Sequence, residues 1–259
     1  MKNLGLKTDL QILGDNTDIN QESKFSVVKT KDNPLYYNGN FFILNEGSQP
    51  SDLKSLEESF RAHFPRDLGY SHYNYKWTKV PTRDIAKFVS DGYELSKDVV
   101  LTLKPHELSI PSFLDQNLEI ETVQTEDEWN SLIEFEVNER NPVIEEEDFR
   151  SYLLPRLNRC RHLINEGNGN YYVVIKNNKI IASAGLLIFN QTGRFQEVRT
   201  TIKERGKGIC SSLIHQICKR NSTTVNTFVI VAEENGGGFR IYNNLGFTSH
   251  SRTFTLMKV

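Results

Sequence analysis

At 259 residues, with 37% hydrophobic, 25% charged and 10% aromatic side chains, the chain can bury one sizeable core or two small ones. A formal net charge of -2 gives no general attraction to nucleic acid or an anionic membrane. No stretch approaches the apolar length of a membrane span, and the polar N-terminus lacks the apolar centre of a secretory signal.

Three cysteines, Cys160, Cys210 and Cys218, form no CxxC pair, so neither a disulfide framework nor a zinc cluster is expected. The six histidines (63, 72, 106, 162, 215 and 250) show no metal-ligand spacing. These features lead us to expect a cytoplasmic monomer or homodimer with no metal, no nucleic-acid partner and no membrane partner.

In chain order, residues 1–20 are polar and irregular and read as a flexible arm. A strand is expected at Phe25–Val28, before the turn signal Lys31-Asp32-Asn33-Pro34. Residues 36–44 read as a strand with a bulge or close approach at Gly39. A helix should follow from Ser51, its N-cap, to Phe60. Next come an aromatic strand at 69–77, a short helix at 82–89, the turn Asp91-Gly92 and a strand at 99–103. Two prolines and weak periodicity at 104–116 place a domain boundary there.

The second half opens with a strand at 118–123 and a helix whose capping box is Thr125 with Glu128. The acidic Glu145-Glu146-Glu147-Asp148 suits the start of another helix. Tyr171–Lys176 and Ile180–Phe189 read as a hairpin about Asn177-Asn178. A strand at 195–202, a helix from Ile209, a strand at 227–232, a short helix at 239–244 and a strand at 253–257 complete the pattern. The whole is mixed α/β with a central mixed sheet flanked by helices.

The most telling segment is Arg205-Gly206-Lys207-Gly208-Ile209-Cys210, between a strand and a helix with apolar residues at Ile209, Leu213, Ile214 and Ile217. Glycines 206 and 208 leave the first turn bare, where backbone N–H groups lack helical partners and the dipole favours an anion. The Walker A pattern fails because Gly208 follows Lys207, and the dinucleotide fingerprint fails because Ser211 stands where its third glycine belongs.

This hexamer resembles the R/Q-x-x-G-x-G/A signature of the GNAT acyltransferases. The stretch Asn235 to Phe247 is similar to the same family's N-x-x-A-x-x-x-Y-x-x-x-G-F pattern, with Gly238 for alanine and Cys210 ending the first signature. The resemblance covers about residues 118–259 and implies an acetyltransferase domain there. Residues 21–110 lack the signature, and Asp91-Gly92-Tyr93-Glu94 looks like a faded copy of Leu245-Gly246-Phe247-Thr248. They are therefore expected to be a degenerate GNAT-like unit or another small α/β unit. The aromatics Tyr36, Tyr37, Phe41, Phe42, Tyr70, Tyr73, Tyr75 and Trp77 are expected to fill a small core rather than line an acceptor cleft.

The resemblance implies acetyl-CoA as co-substrate and transfer of its acetyl group to a primary amine of a small-molecule or amino-acid-like acceptor by direct attack. It places the pantetheine arm along the backbone of Arg199, Thr200 and Thr201, on a strand splayed from its neighbour. The pyrophosphate falls on Gly206, Lys207, Gly208, Ile209, Cys210 and Ser211, with the Ser211 hydroxyl as a further donor, and Asn235 joins the cofactor set. Tyr242 matches the tyrosine that protonates the leaving thiolate. Glu197 is the candidate base or water-ordering carboxylate, with Glu233 and Glu234 bordering the same cleft. A cysteine nucleophile has no histidine that the sequence can place beside it. The alternative is a non-catalytic acyl-CoA-binding sensor or interaction protein with the same fold.

Overall fold

The computed structural model describes residues 3–31, 33–45, 50, 52–80 and 85–259. The chain divides into two compact units, Met1–Val99 with Ser251–Val259, and Val100–His250.

The first unit contains α1 (Leu4–Leu13), β1 (Thr17–Gln21), β2 (Phe25–Thr30), β3 (Asn40–Leu44), α2 (Leu53–His63), β4 (Tyr73–Trp77), α3 (Ala86–Ser90) and the first part of β5 (Glu94–Leu103). Strands β1, β2 and β3 form an antiparallel meander and β3 pairs parallel with β4. The end of the last strand of the chain, β11 (Thr248–Lys258), pairs antiparallel with β4.

The second unit contains β6 (Ile120–Thr122), α4 (Glu126–Asn138), α5 (Glu146–Asn165), β7 (Gly169–Lys176), β8 (Lys179–Phe189), β9 (Thr192–Thr200), α6 (Ile209–Arg220), β10 (Thr227–Glu233) and α7 (Gly237–Asn244). Here β6 to β9 are antiparallel neighbours and β9 pairs parallel with β10. The order α5-β7-β8-β9-α6-β10-α7-β11 repeats α1-β1-β2-β3-α2-β4-α3-β5, down to one parallel pair after two antiparallel ones.

Two expectations are corrected. The described part of the expected arm, residues 3–20, is folded: Asn3 caps α1 by accepting from the Leu6 amide, and Leu6 and Leu13 pack with Val28, Phe41 and Ile43. The unit boundary falls inside β5 rather than at 104–116, and the C-terminal residues return to the first unit. The helix expected from Ser51 runs Leu53–His63 with Asp52 as its cap; Ser51 itself, Asp32 and 82–84 of the short helix lie outside the described residues.

Local signals account for the rest. The Thr125–Glu128 capping box is present in both directions, a device worth about 1 kcal/mol. Asn177 and Asn178 both take the positive φ that a tight hairpin requires. Gly39 is needed by close approach, since a Cβ there would lie 2.6 Å from the Tyr36 ring. The aromatic strands fill the core of the first unit, with Phe42, Phe60, Phe64 and Tyr75 fully buried. The second unit buries Trp129, Leu132, Phe135, Leu153, Leu157 and Tyr171 between α4, α5 and the sheet. Ile209, Leu213, Ile214, Ile217 and Cys218 are the buried stripe that anchors α6. Full burial contributes about 1.5–3 kcal/mol for each large side chain, before the entropy of ordering it.

Candidate active site

The ladder between β9 and β10 is short. It pairs Thr192 with Thr227, Gly193 with Phe228 and Arg194 with Val229, while β9 continues to Thr200 and β10 to Glu233. The C-terminal halves of these neighbouring parallel strands are therefore released from each other. In the first unit the matching pair β3 and β4 behaves differently, with Phe42 opposite Tyr75 and Ile43 opposite Lys76 near the strand ends.

The free edge of β9 carries backbone groups in alternation. Arg199 lies opposite Ser183, and the Thr201 amide donates to the Ile181 carbonyl at 2.9 Å, so both face β8. Of the three expected backbone positions, only Thr200 faces the gap, with Val198 joining it. The Thr200 carbonyl accepts from Arg205 Nε at 3.0 Å, and its buried Oγ1 has no hydrogen-bond partner. An orphaned hydroxyl and an unladdered strand edge are what an extended ligand with amide groups needs.

A bulge interrupts the β8–β9 register between Ser183 and Gly185. Glu197 sits in it at φ 44°, a left-handed conformation for a side-chain-bearing residue, costing about 1–2 kcal/mol. The bulge turns its carboxylate toward α5, where it forms a close ion pair with Arg156 Nη2. The guanidinium beside Glu197 holds its carboxyl below the usual carboxylate range against the opposing effect of burial. Arg156 also donates to the Tyr152 hydroxyl and lies over that ring.

Behind this pair lies Glu136, fully buried on α4. Its Oε1 accepts from Ser183 Oγ at 2.9 Å. Arg199 Nε approaches Oε2 to 2.7 Å without aiming its N–H, making an ion pair rather than an aligned hydrogen bond. Burial pushes the Glu136 carboxyl up to about 7 even though Arg199 pulls the other way. Sequence reading missed Glu136, Arg156 and Glu139. The last accepts from Thr201 Oγ1 and the Ile202 amide, while its carbonyl takes Arg199 Nη1, fastening the end of β9 to α4.

Past β9 the chain enters the glycine loop. Gly206 and Gly208 both have φ 77°, and Gly208 is the N-cap of α6 with no side chain to occupy the helix end. Among the described residues, the amides of Gly206, Lys207, Gly208, Ile209, Cys210 and Ser211 have no acceptor; the first helical bond is from Ser212 to Gly208. Six free donors at a helix N-terminus form an anion cradle. Lys207 beside it pairs with Glu204 at 3.1 Å. The Ser211 hydroxyl proton is committed to the Gly208 carbonyl at 2.8 Å, so the cradle acts through amides rather than that hydroxyl. In the first unit the equivalent helix end is closed, because the Asp52 carboxylate caps α2 at the Ser55 amide. A negative charge there repels a phosphate.

Tyr242 on α7 is buried, and its hydroxyl has no partner among the described residues. Burial, with the Cys210 thiol nearby, raises its ionisation well above the ordinary tyrosine value, so the phenol stays protonated at neutral pH. Its ring folds back over Gly238, where a Cβ would lie 3.1 Å from Cε2, and meets Phe247 at 6.1 Å. Asn235 takes a left-handed φ of 68° in the turn before α7, a conformation asparagine tolerates. Gly246 of the Gly-Phe pair is required by packing, since a Cβ would lie 2.4 Å from the Glu107 carbonyl.

The three cysteines are free, and burial pushes Cys160 up to about 11 and Cys210 to about 12, which leaves no thiolate at neutral pH. No metal-holding cluster occurs among the described residues, and no helix among them is long and apolar enough to cross a membrane.

This strand–cradle–helix arrangement sits in the GNAT fold. The chain is similar to a GCN5-related N-acetyltransferase from Kribbella flavida, at 13% identity and TM-score 0.67 over 100% of this chain and 96% of that one. It is similar to a tandem GNAT protein from the clavulanic acid biosynthesis pathway, at 11% identity and TM-score 0.57 over 94% and 83% of the two chains. A functionally unknown conserved protein from Staphylococcus epidermidis is similar at 14% identity and TM-score 0.73, over 94% of each chain. No family model matches the sequence, and no curated protein does. The likeness runs through both units.

Proposed function

We propose that this protein is a cytoplasmic N-acetyltransferase that moves an acetyl group from acetyl-CoA to a primary amine of a small-molecule or amino-acid-like acceptor, working from its second unit. The observation that carries this reading is one juxtaposition: the released half of β9 ends in six unpartnered amides at the start of α6. A linear ligand with amides at one end and a diphosphate at the other matches that order.

Acetyl-CoA would supply the thioester. The amides of Gly206 to Ser211 neutralise the diphosphate, and Val198 and Thr200 offer their backbone to the pantetheine arm. Direct attack needs an unprotonated amine, polarisation of the thioester carbonyl and a proton for the departing sulfur. Tyr242, protonated and with its hydroxyl uncommitted, donates that last proton. Glu197 is ionised but tied to Arg156, which suits ordering the amine or a water better than removing a proton. The absence of a thiolate-forming cysteine is consistent with attack without a covalent enzyme intermediate.

The test is thiol release from acetyl-CoA with a panel of primary amines, amino acids and aminoglycoside-like sugars included. Release that depends on one amine supports the enzyme. Donor binding with no release for any amine would replace it with an acyl-CoA sensor of the same fold.

A further inference from the structure

Phe113 is the only aromatic side chain among the described residues that stands exposed, at 59% of its surface. Other aromatic rings of the chain are buried or half-buried. An isolated benzyl group in water is unremarkable by itself, but this one lies against the anion cradle. Its ring fills the space beside Gly208, where a Cβ would come within 2.3 Å of Cδ1 and 3.2 Å of two further ring carbons.

Its position is held by the backbone. The Asp115 amide donates to Ser212 Oγ at 3.0 Å, and Ser212 is fully buried. Gln216 Nε2 donates to the Asp115 carbonyl at 3.1 Å, and Pro111, two residues before the ring, is buried. Two hydrogen bonds to successive turns of α6 thus fix a flat apolar face at the lip of six free amides. A benzyl ring has no polar group to compete for phosphate, and this one lies against Gly208 of the cradle.

We propose that Phe113 is the stacking platform for the purine ring of the donor, binding the nucleotide end of acetyl-CoA while the cradle binds its diphosphate. A purine presents a π-face to any aromatic ring and needs no hydrogen-bond pattern from it. This accounts for an aromatic held open to solvent in a protein that buries its others. It also gives Gly208 a second duty, since a side chain there would displace the ring as well as strain the loop. The inference rests on the acetyl-CoA reading above.

The experiment compares two donors by calorimetry: acetyl-CoA, and S-acetyl-4′-phosphopantetheine, which lacks the 3′-phosphoadenosine and one phosphate of the diphosphate but keeps the other for the cradle. Phe113→Ala should weaken acetyl-CoA between about fivefold and a hundredfold and change the truncated donor less than twofold. Phe113→Trp should keep acetyl-CoA affinity, with tryptophan fluorescence quenched by acetyl-CoA and not by the truncated donor. Equal weakening of both donors by Phe113→Ala would overturn the platform and make the ring a packing element of the cradle. So would unchanged acetyl-CoA affinity in that variant. Failure of the wild-type protein to bind either donor would instead remove the acetyl-CoA reading, so the two failures are distinguishable.

Discussion

Replacing Glu136 with glutamine keeps the shape and an acceptor for Ser183 while deleting the titration. In the folded chain burial carries this carboxyl from 4.5 to about 7, so between those values the native state holds a proton that the unfolded chain has released. Stability then falls as pH rises through that window, because the unfolded state gains from ionising earlier. At about 1.4 kcal/mol per pH unit, the interval amounts to roughly 3 kcal/mol. The stability of wild type relative to Glu136→Gln should therefore decline by about 3 kcal/mol between pH 4.5 and 7.5 and level off beyond. Groups common to both chains cancel. The assay is equilibrium urea unfolding at stepped pH in a Trp77→Phe background, so that Trp129 on α4 reports the second unit alone. A constant offset between the two curves would show that Glu136 titrates normally. A wild type that gains on the variant as pH rises would show that Arg199, at 2.7 Å, outweighs burial, and the reasoning would be wrong in sign.

Three further outcomes follow from the site. Gly208→Val should abolish acetyl-CoA binding, because φ 77° costs a branched residue about 1–2 kcal/mol and the new Cβ strikes Phe113; calorimetry that finds binding intact would refute the cradle. Tyr242→Phe should lower turnover about a hundredfold or more with donor affinity unchanged, and steady-state kinetics showing equal kcat would remove the tyrosine from the chemistry. Asp52→Ala should cost the first unit about 1 kcal/mol through the lost cap and leave donor binding untouched, and calorimetry that finds donor affinity lost would contradict the assignment of the two helix ends.

What the sequence disclosed and what it withheld divide along physical lines. The glycine loop before α6 was legible because its requirement is local: glycine stands where the backbone takes a positive φ, as it does at Gly206 and Gly208. The hairpin at Asn177-Asn178 and the Thr125 cap were legible for the same reason. The release of β9 from β10 was known only through resemblance, since register lives in backbone pairing and leaves no mark on side-chain pattern. That is also why Arg199 and Thr201 were placed on the open edge when the alternation turns them to β8. Glu136 could have been found. Trp129, Leu132 and Phe135 mark the buried stripe of α4, and position 136 falls on it, so an acid there is inside rather than solvated. The helix α1 had a signal too, Asn3 as a cap ahead of Leu6, Leu10 and Leu13, hidden by the polar residues between them. The return of the C-terminus to the first unit had none, because chain order alone assigns a last strand to the unit that precedes it.

The central claim is that the β9–α6 junction holds acetyl-CoA, and the direct test is calorimetric titration of the full chain with acetyl-CoA, repeated with Gly208→Val. Saturable one-site binding to wild type, absent in the variant, is the predicted result. No heat and no saturation with the wild-type protein would contradict the claim, leaving the glycine loop as a turn and the fold without its proposed chemistry.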